Sequence, residues 1–419
     1  MKQMKTALDA PKLILIFCLY LSLIRATNIG LFLPSDELEL GNIDYSITKY
    51  MNYLILLGVL GYLFLENNYK PVIEKLLSPS VTLFIIICLI SIVFSIDRVQ
   101  SFKFMIVVTA ISLPVILYAH KFSYDELLTH ISYFSLALCF ICLIYILIMP
   151  QYGIMSGKHA GAWRGLFAHK NIFGPFFAIV FYFFLDRFYS EQLLLRMLFL
   201  LAMLISIIFV IMCKSSTAVI GFVLMGAVYA VLQVLYRMPN LWERIAIILA
   251  AITIITSIFV LGSDMLAEII LQTTGKDMSL SGRTNIWIPL IEMSYERPVF
   301  GWGLGMAQRS EFMERIHGAV NFEVQSSHNS YLDLIIGIGY PGTLIFMIFI
   351  LKASLNALCY EPENRKEINR YALIFSQMIM MLIIASTSSY VLLGRSIFWL
   401  FMLLSILMLH EHKYHKKSL

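Results

Sequence analysis

The chain has 419 residues, 59% of them hydrophobic and only 14% charged, with a formal net charge of +5. That composition excludes a water-soluble globular domain. It also gives no support to nucleic-acid binding, because no basic stripe is interleaved with aromatics.

Apolar runs long enough to cross a bilayer recur from end to end. They are predicted at about 12–32, 46–65, 80–96, 102–119, 128–149, 171–186, 193–212, 216–236, 244–263, 329–351, 371–389 and 395–410. The expected fold is therefore an all-α polytopic membrane protein with about twelve spans, forming a single integral membrane domain over 1–419. The first run is not read as a cleaved signal, since it contains Arg25, lacks a small-residue cleavage site and begins a continuing series. Arg25 is expected to snorkel outward. Lys12, Lys70, Lys121, Arg187, Arg196, Arg237, Arg244, Lys352, Arg365, Arg370 and the C-terminal Lys413, Lys416 and Lys417 all fall on one side of this series. By the positive-inside rule both termini are expected to be cytoplasmic.

Two connections on the other side break the greasy pattern. The first, 150–170, reads "PQYGIMSGKHAGAWRGLFAHK" and runs into Asn171. The second, 264–327, is the only soluble stretch of domain-like size, and loops this long are usually functional or disordered. Within it, Ile286, Leu290, Ile291 and Met293 recur at roughly helical spacing, which predicts an amphipathic helix over about 283–296 on the outer membrane surface. That helix presents Arg283 at its N-terminal end and Trp287 one turn later. Pro289 sits inside it. The "GWGLG" at 301–305 is read as a turn closing the loop, because its spacing does not fit a nucleotide-binding fingerprint.

Basic residues gather on this side: Lys158, Arg164, Lys170, Lys214, Arg283, Arg297, Arg309 and Arg315. A membrane-borne diphosphate would explain such a cluster, since guanidinium and ammonium groups neutralise phosphate oxygens. The competing reading is anchorage to lipid headgroups. Trp163, Trp287 and Trp302 are open to the same two readings, stacking on sugar faces or sitting at the interface.

The stretch "SSHNSYLDLIIGIGYPG", 326–342, places a histidine at the mouth of a span. Ser326 or Ser327 is expected to cap the helix, leaving His328 in its first turn. His328, Leu332, Ile335, Gly339 and Gly342 would then share a face, with the glycines letting a helix or lipid tail lie close. Pro341 removes a hydrogen bond to the Gly337 carbonyl, so a kink is expected there. The helix dipole favours neutral imidazole, the form a general base needs. The competing reading is a capping or interfacial histidine without chemistry. Cys139 and Cys142 form a C-x-x-C that reads as packing, and no metal-binding or nucleophile-elbow motif appears.

Four stretches together, "WRGLFAHKNIFG" (163–174), "KSSTAVIG" (214–221), "SGRTNIWIPLIEMSYERPVFGWGLG" (281–305) and "HNSYLDLIIGIGYPG" (328–342), resemble the O-antigen ligase and polysaccharide polymerase superfamily. The last fits that family's pattern of His, a small polar residue and a downstream G-x-x-G, here His328, Asn329, Gly339 and Gly342. The resemblance implies a GT-C-like helical fold and a glycan donor on undecaprenyl diphosphate at the periplasmic face of a bacterial inner membrane. It implies Arg283 as one diphosphate grip. Where the family often has Ser-Arg-Thr, this chain has Ser215, Ser216 and Thr217, so Lys214 or Arg164 is expected to supply the second.

The expected reaction is an inverting, metal-independent glycosyl transfer with no cofactor. His328 would deprotonate the acceptor hydroxyl and Asn329 would orient it. Arg283, Arg164, Lys170 and Lys214 would stabilise the diphosphate, with Asn171 and Trp287 completing the substrate-binding set. The expected partners are lipid-linked glycans, membrane lipid and a chain-length regulator. A polymerase joining lipid-linked repeat units is the leading reading. A ligase acting on lipid A-core, or a non-enzymatic flippase or transporter, is the alternative.

Overall fold

A computed structural model describes residues 10–29, 46–66, 79–238, 240, 242–247, 283–319, 324, 326–389 and 391–415. The long helices are α1 (Ala10–Thr27), α2 (Ser46–Leu65), α3 (Pro79–Val93), α4 (Arg98–Lys121), α5 (Tyr124–Ile148), α6 (Lys170–Ser190), α7 (Leu193–Met212) and α8 (Ser216–Leu235). They continue with α9 (Arg283–Glu296), α10 (Ser330–Leu358), α11 (Arg365–Ala385) and α12 (Ile397–His415). The protein is an all-α polytopic membrane protein. Among the described residues nine helices are long and apolar enough to cross a bilayer, and α3 and α12 carry shorter apolar stretches, Val81–Val93 and Ile397–Leu409. The predicted span at 244–263 and the part of the predicted loop before residue 283 lie largely outside the described residues.

In lipid every backbone polar group needs an internal partner, which is why these runs are helices. Side-chain packing then sets the bundle. α6 lies against α7 and α8, α11 against α8 and α12, and α10 against α3 and α12. Phe173 and Phe177 of α6 meet Phe209 of α7 at ring-centroid distances of 4.9 and 4.7 Å. Gly174 lets the α7–α8 turn close on α6: a Cβ there would stand 2.3 Å from Cys213 Sγ. That close approach fixes where Lys214, the next residue of the turn, is presented.

At the end of the bundle where α5 and α11 begin and α6 ends, Asp125 accepts from Arg187 at 3.1 Å and from Lys366 at 3.3 Å, and it also pairs with Arg370. These charges tie three helices together at one membrane surface. Arg25 does not snorkel as the sequence suggested. It is buried, with 5% of its surface exposed, because α1 is enclosed by α2, α4 and α12.

The opposite end carries a small second core. Ile286 and Leu290 of α9 pack with Trp302, Met306, Phe312, Ile316, Leu332 and Ile336. α9 spans Arg283–Glu296, matching the predicted helix, and it accommodates Pro289. Trp302 belongs to this core and donates its indole N–H to Met293 O at 2.9 Å, so it is neither a sugar platform nor an interfacial anchor.

α10 is broken at Gly339 (φ 71°, ψ 178°), two residues before Pro341. The kink expected from the proline is real, and glycine supplies the conformation that an L side chain resists. The "GWGLG" turn fills the break. Ile336 O accepts from Trp302 N at 2.7 Å, and Tyr340 N donates to Pro298 O at 2.8 Å. Ser91 of α3 donates to the freed Gly337 carbonyl at 2.6 Å. Gly301, Gly303 and Gly305 all have positive φ, as a tight turn there requires. The neighbour accommodated at Gly339 is thus outer-loop backbone, not a helix or a lipid tail: a Cβ would stand 2.3 Å from Val299 O.

Candidate active site

The start of α10 differs from the sequence expectation by a small shift with large consequences. Asn329, not a serine, is the N-cap, and its Oδ1 accepts from the N–H groups of Tyr331 and Leu332 at 3.0 and 3.2 Å. His328 therefore precedes the helix, with φ of 51°. It does not share a helical face with Leu332 and Ile335. Asn329 Oδ1 is committed to capping, which leaves its amide nitrogen as the group able to meet a substrate.

His328 is exposed at the surface yet crowded by protein, the geometry of a recess. Loss of water around the ring and the positive charge of Arg283 push its pKa down from 6.5 to about 4. Neutral imidazole is thus the resting form, though through crowding and a guanidinium rather than a position inside the helix. Arg283 itself is partly buried at the first residue of α9. Trp287, one turn on, donates its indole N–H to Ser327 O at 3.0 Å and so ties α9 to the residue before His328.

A second group of expected residues converges from the other half of the chain. Lys170 Nζ donates to Lys214 O at 3.1 Å, and Ser215 Oγ donates to Asn171 Oδ1 at 3.3 Å. Lys214, with φ of 48°, is exposed and reaches Ala160 O at 3.5 Å. Arg164 is different. Its side chain is fully buried and donates to Phe167 O at 3.2 Å, within the 154–169 loop that it braces. Lack of water lowers its pKa from the usual arginine range. Lys170 is also largely buried.

His169 joins the two groups, and the sequence reading passed over it. It is the N-cap of α6, its Nδ1 accepting from Asn171 N at 3.1 Å, which places the ring proton on Nε2. Its ring meets that of His159 edge-on at 5.4 Å. Its pKa is pushed down to about 4 by loss of water, then by the charges of His159, Lys170, His328 and Arg164. The charge of His328 is felt at His169, so the N-terminus of α6 lies near the residue that precedes α10. A polar residue directly before the apolar run at 171 was the available signal, but histidine is an uncommon cap.

The family model described as O-antigen ligase matches residues 201–347. That match covers about a third of the chain and agrees with the resemblance to the O-antigen ligase and polymerase superfamily. The match runs from α7 through the break in α10 and contains Lys214, Arg283, Trp287, His328 and Asn329, whereas Arg164, His169, Lys170 and Asn171 precede it. No curated protein matches the chain. The match points to glycosyl transfer in the membrane as the class of activity. Among the described residues no group of three or more His, Cys, Asp or Glu side chains is arranged to hold a metal ion. A cavity of about 10 Å³ lies behind Asp333 and Gln308. It has room for little more than a water.

Proposed function

We propose that the protein polymerises a bacterial surface polysaccharide, using a glycan carried on undecaprenyl diphosphate as donor and a second lipid-linked repeat unit as acceptor. The observation that supports glycosyl transfer, the step this reading shares with a ligase, is an accessible His328 whose pKa is lowered by Arg283, at the membrane end opposite the Asp125 ion-pair cluster. With basic loops assigned to the cytoplasm, that end is periplasmic and the inner membrane is the site of action.

In the proposed reaction an imidazole nitrogen of His328 takes the proton of the acceptor hydroxyl. The hydroxyl oxygen forms a bond to the anomeric carbon from the face opposite the diphosphate. The bond from that carbon to the phosphate oxygen breaks, and the leaving diphosphate keeps the electron pair. Arg283 and the exposed Lys214 are suited to hold its growing charge, a contribution that strengthens where water is scarce. Lys170, with its ammonium on the Lys214 carbonyl, positions that turn. Burial of Arg164 argues for a bracing role rather than a grip.

The ligase reading is favoured by the description of the matched family and differs only in acceptor. Deletion of the gene separates the two. Single repeat units on the normal acceptor indicate a polymerase, and long chains stranded on the lipid carrier indicate a ligase. Repeat units held on the cytoplasmic side would indicate a flippase and end both readings. Complementation with His328→Ala is expected to reduce transfer by about 10²–10⁴-fold, the usual contribution of general-base catalysis.

A further inference from the structure

His328 is one of four non-glycine residues with positive φ among those described. A non-glycine residue in this region costs about 1–3 kcal/mol and persists where its surroundings over-determine it. The surroundings here are unusually explicit. On one side Ser327 is fully buried, its N–H donates to Ala307 O at 3.3 Å, and its carbonyl accepts from Trp287. On the other side Asn329 N donates to Ser327 Oγ at 3.0 Å while its side chain caps α10. The two flanks of His328 are thus bridged through a single hydroxyl.

That hydroxyl is itself held by a buried carboxylate. Ser327 Oγ donates to Asp333 Oδ1, one turn into α10. Ser389, from the segment between α11 and α12, lies 3.1 Å from Ser327 Oγ and donates to Asp333 Oδ1 at 3.4 Å. Gln308 Nε2 donates to Asp333 Oδ2 at 3.2 Å from the turn that follows "GWGLG". Asp333, Gln308 and Ser389 are all buried. A buried carboxylate bonded from three separate segments fixes their relative positions, and truncating it leaves buried donors unsatisfied.

We propose that Asp333 is a positioning residue: with Ser327 and Ser389 it clamps His328 in its left-handed backbone conformation, aiming the imidazole at the recess shared with Arg283 and His169. The clamp makes no contact with substrate. Its effect on catalysis rests on the reading of His328 as the base.

The test uses the full-length protein in detergent and two readouts. The first is carbethoxylation of His328 by diethyl pyrocarbonate, followed by mass spectrometry with His159 and His169 as internal references. The second is glycan transfer from lipid-linked glycan extracted from a strain lacking the gene. Asp333→Ala and Ser389→Ala are expected to change the His328 labelling rate several-fold while the references hold. In the same variants kcat should fall by about 10²-fold with KM unchanged, as for a small misplacement of a catalytic group. Asp333→Asn keeps an acceptor oxygen for Ser327 and should recover most of the rate. Wild-type labelling and turnover in Asp333→Ala, or in Ser389→Ala where the former does not accumulate, would overturn the clamp. Full turnover in His328→Ala would instead remove the base, while the labelling shift would still decide whether the clamp exists.

Discussion

The indole N–H of Trp287 donates to the carbonyl oxygen of Ser327 at 3.0 Å. This bond joins the helix that begins at Arg283 to the residue preceding His328, so the two charged or basic groups of the site are carried on one mechanically continuous unit. Trp287→Phe keeps a ring in place and removes only the donor. A hydrogen bond of this kind contributes about 0.5–1.5 kcal/mol, which corresponds to a loss of up to about tenfold in transfer rate if the bond serves alignment. The rate of glycan transfer, with thermal unfolding in detergent as a fold control, checks it. An unchanged rate would show that α9 and His328 are positioned independently.

The pH dependence follows from the sign of the His328 shift. Its pKa is lowered from 6.5 to about 4 by crowding and then by Arg283, so the base is already neutral through the physiological range. The acid limb of the rate profile should therefore fall near pH 4 rather than 6.5. Arg283→Gln removes a like charge, raises the imidazole pKa and moves that limb to higher pH, beside whatever loss of donor binding it causes. For stability the same shift acts against the fold in acid. Below 6.5 the unfolded chain takes up the proton first, so stability declines as pH falls from there toward 4. A rate profile of Arg283→Gln that declines at the wild-type pH would separate the two residues.

Lys214 and Arg164 are distinguished by burial. Lys214→Ala removes an exposed ammonium whose contact with Ala160 O is long, 3.5 Å, and is expected to raise the KM for lipid-linked donor with little change in unfolding temperature. Arg164→Ala empties a fully buried site and removes the guanidinium donor to the Phe167 carbonyl. It is expected to cost stability by about 1–3 kcal/mol or more before any kinetic effect is seen. Donor titrations and melting curves of the two variants check the pair, and equal thermal losses would contradict the assignment.

The spans that fall on the described residues, and α9, were legible in the sequence because length and apolar spacing are local properties, read without knowing what lies alongside. The cap was not. Ser326, Ser327 and Asn329 are all good caps, and only the buried carboxylate of Asp333, which draws Ser327 into its own network, leaves Asn329 to start the helix. Arg164 looked like a phosphate ligand because sequence gives its charge but not its burial. His169 was missed for the converse reason: its role depends on α6 meeting the α7–α8 turn and on the recess it shares with His328, and no local pattern encodes either. The glycine pair after His328 announced close approach correctly: Gly342 meets Ile87 of a neighbouring helix, α3, whereas Gly339 meets the turn leading into "GWGLG", some forty residues upstream, which could not be named from spacing alone.

That approach gives the sharpest stability prediction. Gly339 combines φ of 71° with a Cβ position 2.3 Å from Val299 O, a backbone atom that cannot swing aside. Gly339→Ala must adopt a strained conformation, costing about 1–3 kcal/mol, and also displace the 297–305 turn. Loss of that turn would release the carbonyl of Ile336 from Trp302 N and shift the start of α10 and the histidine before it. Gly61→Ala is the control: it sits in α2, nothing stands within 4 Å of its Cβ, and its φ is unremarkable. Replacing a helical glycine by alanine there should raise stability by roughly 0.5–1 kcal/mol. Unfolding temperatures of the two variants in the same detergent should move in opposite directions, with glycan transfer lost only in Gly339→Ala. If Gly339→Ala unfolds at the wild-type temperature, the break in α10 does not depend on the glycine conformation.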